Sequence, residues 1–215
     1  MSDRARLQRR GLALEYATIA WNVGEAGLTI GLGIAAGSLA LIGFGTDSII
    51  EVFASSVVVW HLLPGHDEDR PDRTRLALRL VGAAFLALAV ALAIASISDL
   101  STGRRAEASW WGIGYLASAA VVMFGLAIAK RRIAERLDSA PLRSEAAMTF
   151  LDGILASATL VGLALNAVAG WWWADPAAAL VVAVAAANEA RENWEEAAEI
   201  GGVEEAGEFT APPGG

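Results

Sequence analysis

Cysteine is absent from the 215-residue sequence, which excludes disulfides and thiolate metal ligands and leaves the redox compartment undetermined. Basic residues are missing from the middle of the long apolar stretches. The arginines crowd into short polar segments, so no lysine or arginine is expected at the depth of the acids described below. No stretch is left over for a folded cytoplasmic domain. The formal net charge of −8 points to no nucleic-acid partner, because the acids concentrate at the carboxyl end. Nor does the amino terminus read as a signal peptide: Arg4, Arg6, Arg9 and Arg10 precede an apolar run too long for a signal core and interrupted by an acid.

What is present is apolar surface. Hydrophobic residues make up 55% of the chain and mean hydropathy is +0.47, values that belong to an all-α, polytopic membrane protein rather than a soluble domain. Six segments of spanning length can be marked: Leu12–Ile34, Ser38–Leu62, Leu76–Ser98, Ala108–Ala129, Ala146–Gly170 and Pro176–Ala190. If the chain starts in the cytoplasm, nearly all arginine-rich stretches fall on that side: the amino terminus, then Arg70 to Arg79, then Lys130 to Arg143. Only Arg104 and Arg105 are left outside. This asymmetry predicts both termini in the cytoplasm. The tryptophans agree, with Trp110, Trp111 and Trp171 to Trp173 at the outer interface and Trp60 and Trp194 at the inner one. The expected organisation is a cytoplasmic arm over 1–11, a six-helix transmembrane domain over 12–190, and an acidic, disordered tail over 191–215. The location implied is a lipid bilayer such as a bacterial inner membrane. Gly27 with Gly31, and Gly33 with Gly37, have the small-xxx-small spacing of closely approaching membrane helices. Asp175 before Pro176 reads as a structural helix cap.

Within these spans sit acids that hydrocarbon disfavours. Asp47 and Glu51 lie four residues apart on one helical face, each costing roughly 2.5–3.5 kcal/mol by insertion scales. Glu25 on the first span and Asp152 on the fifth lie at similar depth. A bound cation or exchangeable protons would offset them, whereas the alternative is a static core of protonated, hydrogen-bonded acids. Glu25 fits either reading. Asn22, one turn earlier, is placed to orient Glu25 or to join a coordination shell. Carboxylate oxygens gathered at the membrane middle suit divalent cations. His61 and His66, with Asp67, Glu68 and Asp69, either collect metal at the cytoplasmic entrance or form a solvated loop. Glu145 reads as a relay carboxylate or as an interfacial one, and Tyr16 and Met123 as packing.

Gly37-Ser38-Leu39-Ala40-Leu41 leading to Asp47-Ser48-Ile49-Ile50-Glu51, with Met148-Thr149-Phe150-Leu151-Asp152 and the turn Gly170 to Pro176, resembles the cation diffusion facilitator family of divalent-metal/proton antiporters. The resemblance implies six helices with cytoplasmic termini, a homodimer, and a transport site made of Asp47, Glu51 and Asp152 among helices one, two, four and five. Met148 stands where zinc carriers of this family place histidine, and Glu51 where aspartate is more frequent. The chain is similar to short members without the cytoplasmic metal-sensing domain. The expected function is therefore export of a divalent transition-metal ion, zinc first among Co2+, Cd2+, Mn2+ and Fe2+, in exchange for protons. The expected ligands are Asp47, Glu51, Asp152, Glu25, Asn22 and Met148, and no prosthetic group or enzymatic chemistry is implied. The rival readings are a non-transporting receptor or assembly subunit with a structural metal, and a proton-coupled carrier of another substrate.

Overall fold

The computed structural model describes residues 3–36, 39–63, 71–103 and 110–210, and among them every extended element is a helix. In chain order these are α1 (Asp3–Ala36), α2 (Leu39–Leu62), α3 (Pro71–Thr102), α4 (Trp110–Leu137), α5 (Ala140–Ala169) and α6 (Ala174–Thr210). Each takes in most or all of one of the six apolar segments. Among the described residues α3, α4 from Ile113, and α5 are long and apolar enough to cross a bilayer. Their outward faces are apolar too: Ile94, Val121 and Val168 are largely exposed, with Val168 at 90%, as suits a surface solvated by lipid.

Local chemistry sets the helix ends. Pro71 opens α3, where a missing N–H costs nothing. The α4–α5 turn is only Asp138 and Ser139, and Asp138 adopts the left-handed conformation (φ 54°) that a short polar side chain tolerates. Gly170 closes α5 at φ 70°, and its N–H bonds to Asn166 O at 3.0 Å. Asp175 lies in the first turn of α6, its backbone so close to α5 that only glycine fits at Gly162.

The segment over 1–11 is helical from Asp3 onward and continuous with α1. One expectation is corrected at the other end of the chain. The presumed disordered tail is helical through Thr210. Its first turns are packed: Trp194 Nε1 donates to Arg79 O at 3.2 Å, Ser144 Oγ to Asn193 Oδ1 at 2.6 Å, and Arg143 pairs with Glu196 at 2.9 Å. The glycine expectation also moves. Gly27 and Gly31 face open space, and the close approach of α1 to α2 occurs at Gly45, against Thr29 and Ile30. Gly37, the loop carrying His66, Asp67, Glu68 and Asp69, and Arg104 with Arg105 lie outside the described residues.

Packing divides the bundle in two. Helices α1, α2, α5 and α4 form a closed ring, each touching the next, while α3 and α6 pair with each other along one flank. The main apolar core joins Val58 and Leu62 of α2 to Val81, Phe85 and Leu88 of α3, Met148 and Leu151 of α5, and Ala186 of α6. The ring's interior is where the polar residues go.

Candidate metal centre

Three helices carry polar stripes at helical spacing: Glu15, Thr18, Asn22 and Glu25 on α1; Asp47, Ser48, Glu51 and Ser55 on α2; Glu145, Thr149 and Asp152 on α5. Residues three and four apart share a face, so ring closure brings the stripes together. Between them lies a cavity of about 30 Å³, lined by Asn22, Glu25, Asp47, Ser48, Glu51, Ala119, Met123, Asp152, Leu155, Ala156 and Thr159. That is room for one ion or for a water molecule or two.

Glu51, only 3% exposed, is fixed at both oxygens. Asn22 Nδ2 donates to Oε2 at 2.7 Å, and Thr149 Oγ1 donates to Oε1 at 2.9 Å. Asn22 is itself anchored by a bond to Thr18 O at 3.1 Å. Glu25 accepts the Tyr115 hydroxyl from α4. The four acids repel one another: the charges of Glu51 and Glu25 act on Asp47, and those of Glu51, Asp47 and Glu25 on Asp152. Among the described residues no lysine or arginine lines the cavity. Among the described residues no three histidine or carboxylate side chains already close around a single metal position.

Five of the six expected ligands are therefore brought to one place. The sixth is not. Met148 is 1% exposed and packs in the apolar core with α2, α3 and α6, away from the cavity. On α5 the inward-facing position one turn below Asp152 belongs to Thr149, which is held by Glu51. The thioether that does line the cavity is Met123 of α4, which sequence reasoning left as packing.

Residues 75–200 match the family model of the cation efflux transmembrane domain. The chain belongs to the cation efflux family. The match runs from α3 through most of α6 and takes in Asp152 and Met123, while Asp47 and Glu51 precede it. The chain matches no curated protein significantly. As a member of a family that carries divalent metal cations across membranes, this is an integral membrane cation transporter.

This cation efflux protein also contains a buried charged group on the cytoplasmic side of the four acids. Lys130, the only lysine in the sequence, reads by composition as part of a polar segment with the arginines that follow it. Instead α4 continues to Leu137 and turns Lys130 inward, where it is fully buried together with Glu15 and Glu145, all at 0% exposure. Its Nζ donates to both Glu145 oxygens at 2.7 Å and to Thr149 Oγ1 at 3.1 Å, and lies 3.4 Å from Glu15 Oε2. Ser55 Oγ adds a bond to Glu145 Oε1 at 2.8 Å. The Thr149 hydroxyl thus accepts from Lys130 and donates to Glu51, joining this cluster to the cavity. Glu15 was missed altogether. The polar stripe Glu15-Thr18-Asn22-Glu25, on an otherwise apolar helix, was the signal that could have found it.

His61, by contrast, lies apart from the acids. It is buried at the end of α2 beside a polar pocket that Arg4, Asp138 and Ser139 also line.

Proposed function

We propose that the protein exports a divalent transition-metal ion, zinc first, from the cytoplasm in exchange for protons. Metal loads onto deprotonated Asp47, Glu51 and Asp152, with Glu25 as a fourth carboxylate. Rocking of the ring helices then exposes the site to the outer face, where protons displace the metal. Because one set of oxygens takes either ion, the two fluxes are coupled. Both termini face the cytoplasm, as the arginine asymmetry indicates.

The observation that carries this reading is the gathering of Glu25, Asp47, Glu51 and Asp152 round one ion-sized cavity with no basic side chain among the described residues that line it. Buried carboxylates that repel each other need a cation or protons, and a transporter supplies them in turn. The arrangement of Asn22 and Thr149 at Glu51 is the kind of outer support that orients a ligand.

The test is transport in sealed vesicles with a metal-responsive dye inside, run against several divalent ions with and without a pH gradient. Zinc uptake that responds to the gradient is expected, and Asp47→Ala, Glu51→Ala and Asp152→Ala should each abolish it while the protein still inserts. Thermal stabilisation by metal without any uptake would favour the structural-metal receptor. Normal transport by two of the three variants would remove the site.

A further inference from the structure

The Glu15, Lys130 and Glu145 charges are not part of the cavity. With the cytoplasmic termini proposed above, they lie between it and the cytoplasm. Resting on that reading of function, we propose that Glu15 and Glu145 form a second, transit site for the divalent cation, and that the Lys130 ammonium is the tethered cation that fills this site while the cytoplasmic path is shut.

Position is the first support. Thr149 Oγ1 lies 3.3 Å from Glu145 Oε1 and 2.9 Å from Glu51 Oε1, so a single hydroxyl separates the two sets of carboxylates. None of the cavity's lining residues lies on the cytoplasmic side of Glu51. The cluster is what closes that side, and it ties α1, α4 and α5 together, with Ser55 from α2. Any inward opening of the ring must pull it apart.

Charge is the second. Two carboxylates face one ammonium in a region without solvent, so the single ammonium matches only one of them when both are ionised. Glu15 is the less closely paired member: it is fully buried, and Lys130 stands 3.4 Å from it against 2.7 Å from Glu145. A divalent cation in place of the ammonium would balance both acids. The donors it would meet, two carboxylates with the Ser55 and Thr149 hydroxyls, are all oxygen and suit a hard or borderline divalent ion.

The third is the choice of lysine. Its charge is a compact ammonium on a flexible stem that can retreat toward water without moving the helix. Lys130 sits seven residues before the end of α4 at Leu137, about 10 Å by helical rise. A guanidinium bonded to both acids would be harder to withdraw.

Zinc titration of the purified protein, with melting curves recorded with and without zinc, tests the assignment. Lys130→Ala is expected to bind one more zinc ion per chain than the wild type and to be stabilised by zinc more than the wild type is. Adding Glu145→Gln to it should remove the extra ion. Folded Lys130→Ala with wild-type stoichiometry overturns the proposal. Should that variant fail to fold, Glu15→Gln decides, because it leaves the neutral Lys130–Glu145 pair intact. The zinc concentration for half-maximal loading from the cytoplasmic face should rise about tenfold, the scale on which a supporting carboxylate acts, with no matching loss of equilibrium affinity. An unchanged half-saturation overturns the transit site. A wild type that binds no divalent ion defeats the transporter reading itself, whereas wild-type binding with no extra ion in Lys130→Ala defeats the transit site alone.

Discussion

At the scale of single residues, the decisive group is a hydroxyl. Thr149 has one O–H and donates it to Glu51, while its oxygen accepts a hydrogen bond from Lys130. Thr149→Val keeps the shape and removes both bonds, leaving Glu51 Oε1 without its donor. A buried acceptor deprived of a partner costs about 1–3 kcal/mol, so the variant should melt several degrees lower. Zinc affinity should fall about tenfold, as when a ligand's outer support is removed. Calorimetric titration and a melting curve check both, and unchanged values would show that Glu51 is held by Asn22 alone. The methionines give a second test. With Met148 sealed in the apolar core, Met148→His puts a polar ring among Val58, Phe85 and Leu88. It should therefore lower stability without changing the ratio of zinc to manganese affinity. Met123→Leu, at the cavity wall, should weaken cadmium more than manganese, because the thioether is a soft donor. Binding of the three ions to both variants checks this, and a zinc gain in Met148→His would reverse the two assignments.

At the scale of helices, what the sequence disclosed and what it withheld have physical reasons. The four acids could be placed because carboxylates stand out in an apolar run and their depth follows from counting. Lys130 could not, since Lys130-Arg131-Arg132 has the composition of a loop, and only the continuation of α4 to Leu137 reveals that one of the three turns inward. Met148 shared a face with Asp152 by spacing, yet spacing does not say which neighbour that face meets one turn lower. The carboxyl end is a similar case. Its acidic composition reads as disorder, but Asn193, Ala197 and Gly201 form a buried stripe four residues apart, and Trp194 reaches back to α3. Ending the chain after Ala190 should therefore lower the melting temperature markedly, since it strips a tryptophan and a stripe of packing from α3. Ending it after Gly201 should leave both melting and transport close to wild type. Size-exclusion profiles and vesicle uptake of the two truncations check this, and equal behaviour would mean that the packed turns contribute nothing.

At the scale of the whole molecule, the polar interior is asymmetric along the bundle axis. Ala156 and Thr159 line the cavity on the side of the acids away from the end that holds the amino terminus, while the buried Lys130 cluster lies on the other side. With cytoplasmic termini, this conformation is closed inward and leans outward. The absence of cysteine makes this measurable, because any introduced thiol is the only one present. Thr159→Cys lies seven residues, or about 10 Å of helical rise, beyond Asp152 on the outer side. A membrane-impermeant thiol reagent should label it from the outer face of oriented vesicles and not from the cytoplasmic face. Conditions that load metal from the cytoplasm should slow that labelling, because they draw the population toward the inward-open state. Lys130→Ala removes the charge that seals the inner half, so in that background the outer labelling should slow even without metal. Labelling of Thr159→Cys from the cytoplasmic face alone would invert the orientation. Labelling rates indifferent to both metal and Lys130 would mean that the ring does not rock, and that its acids hold a static ion.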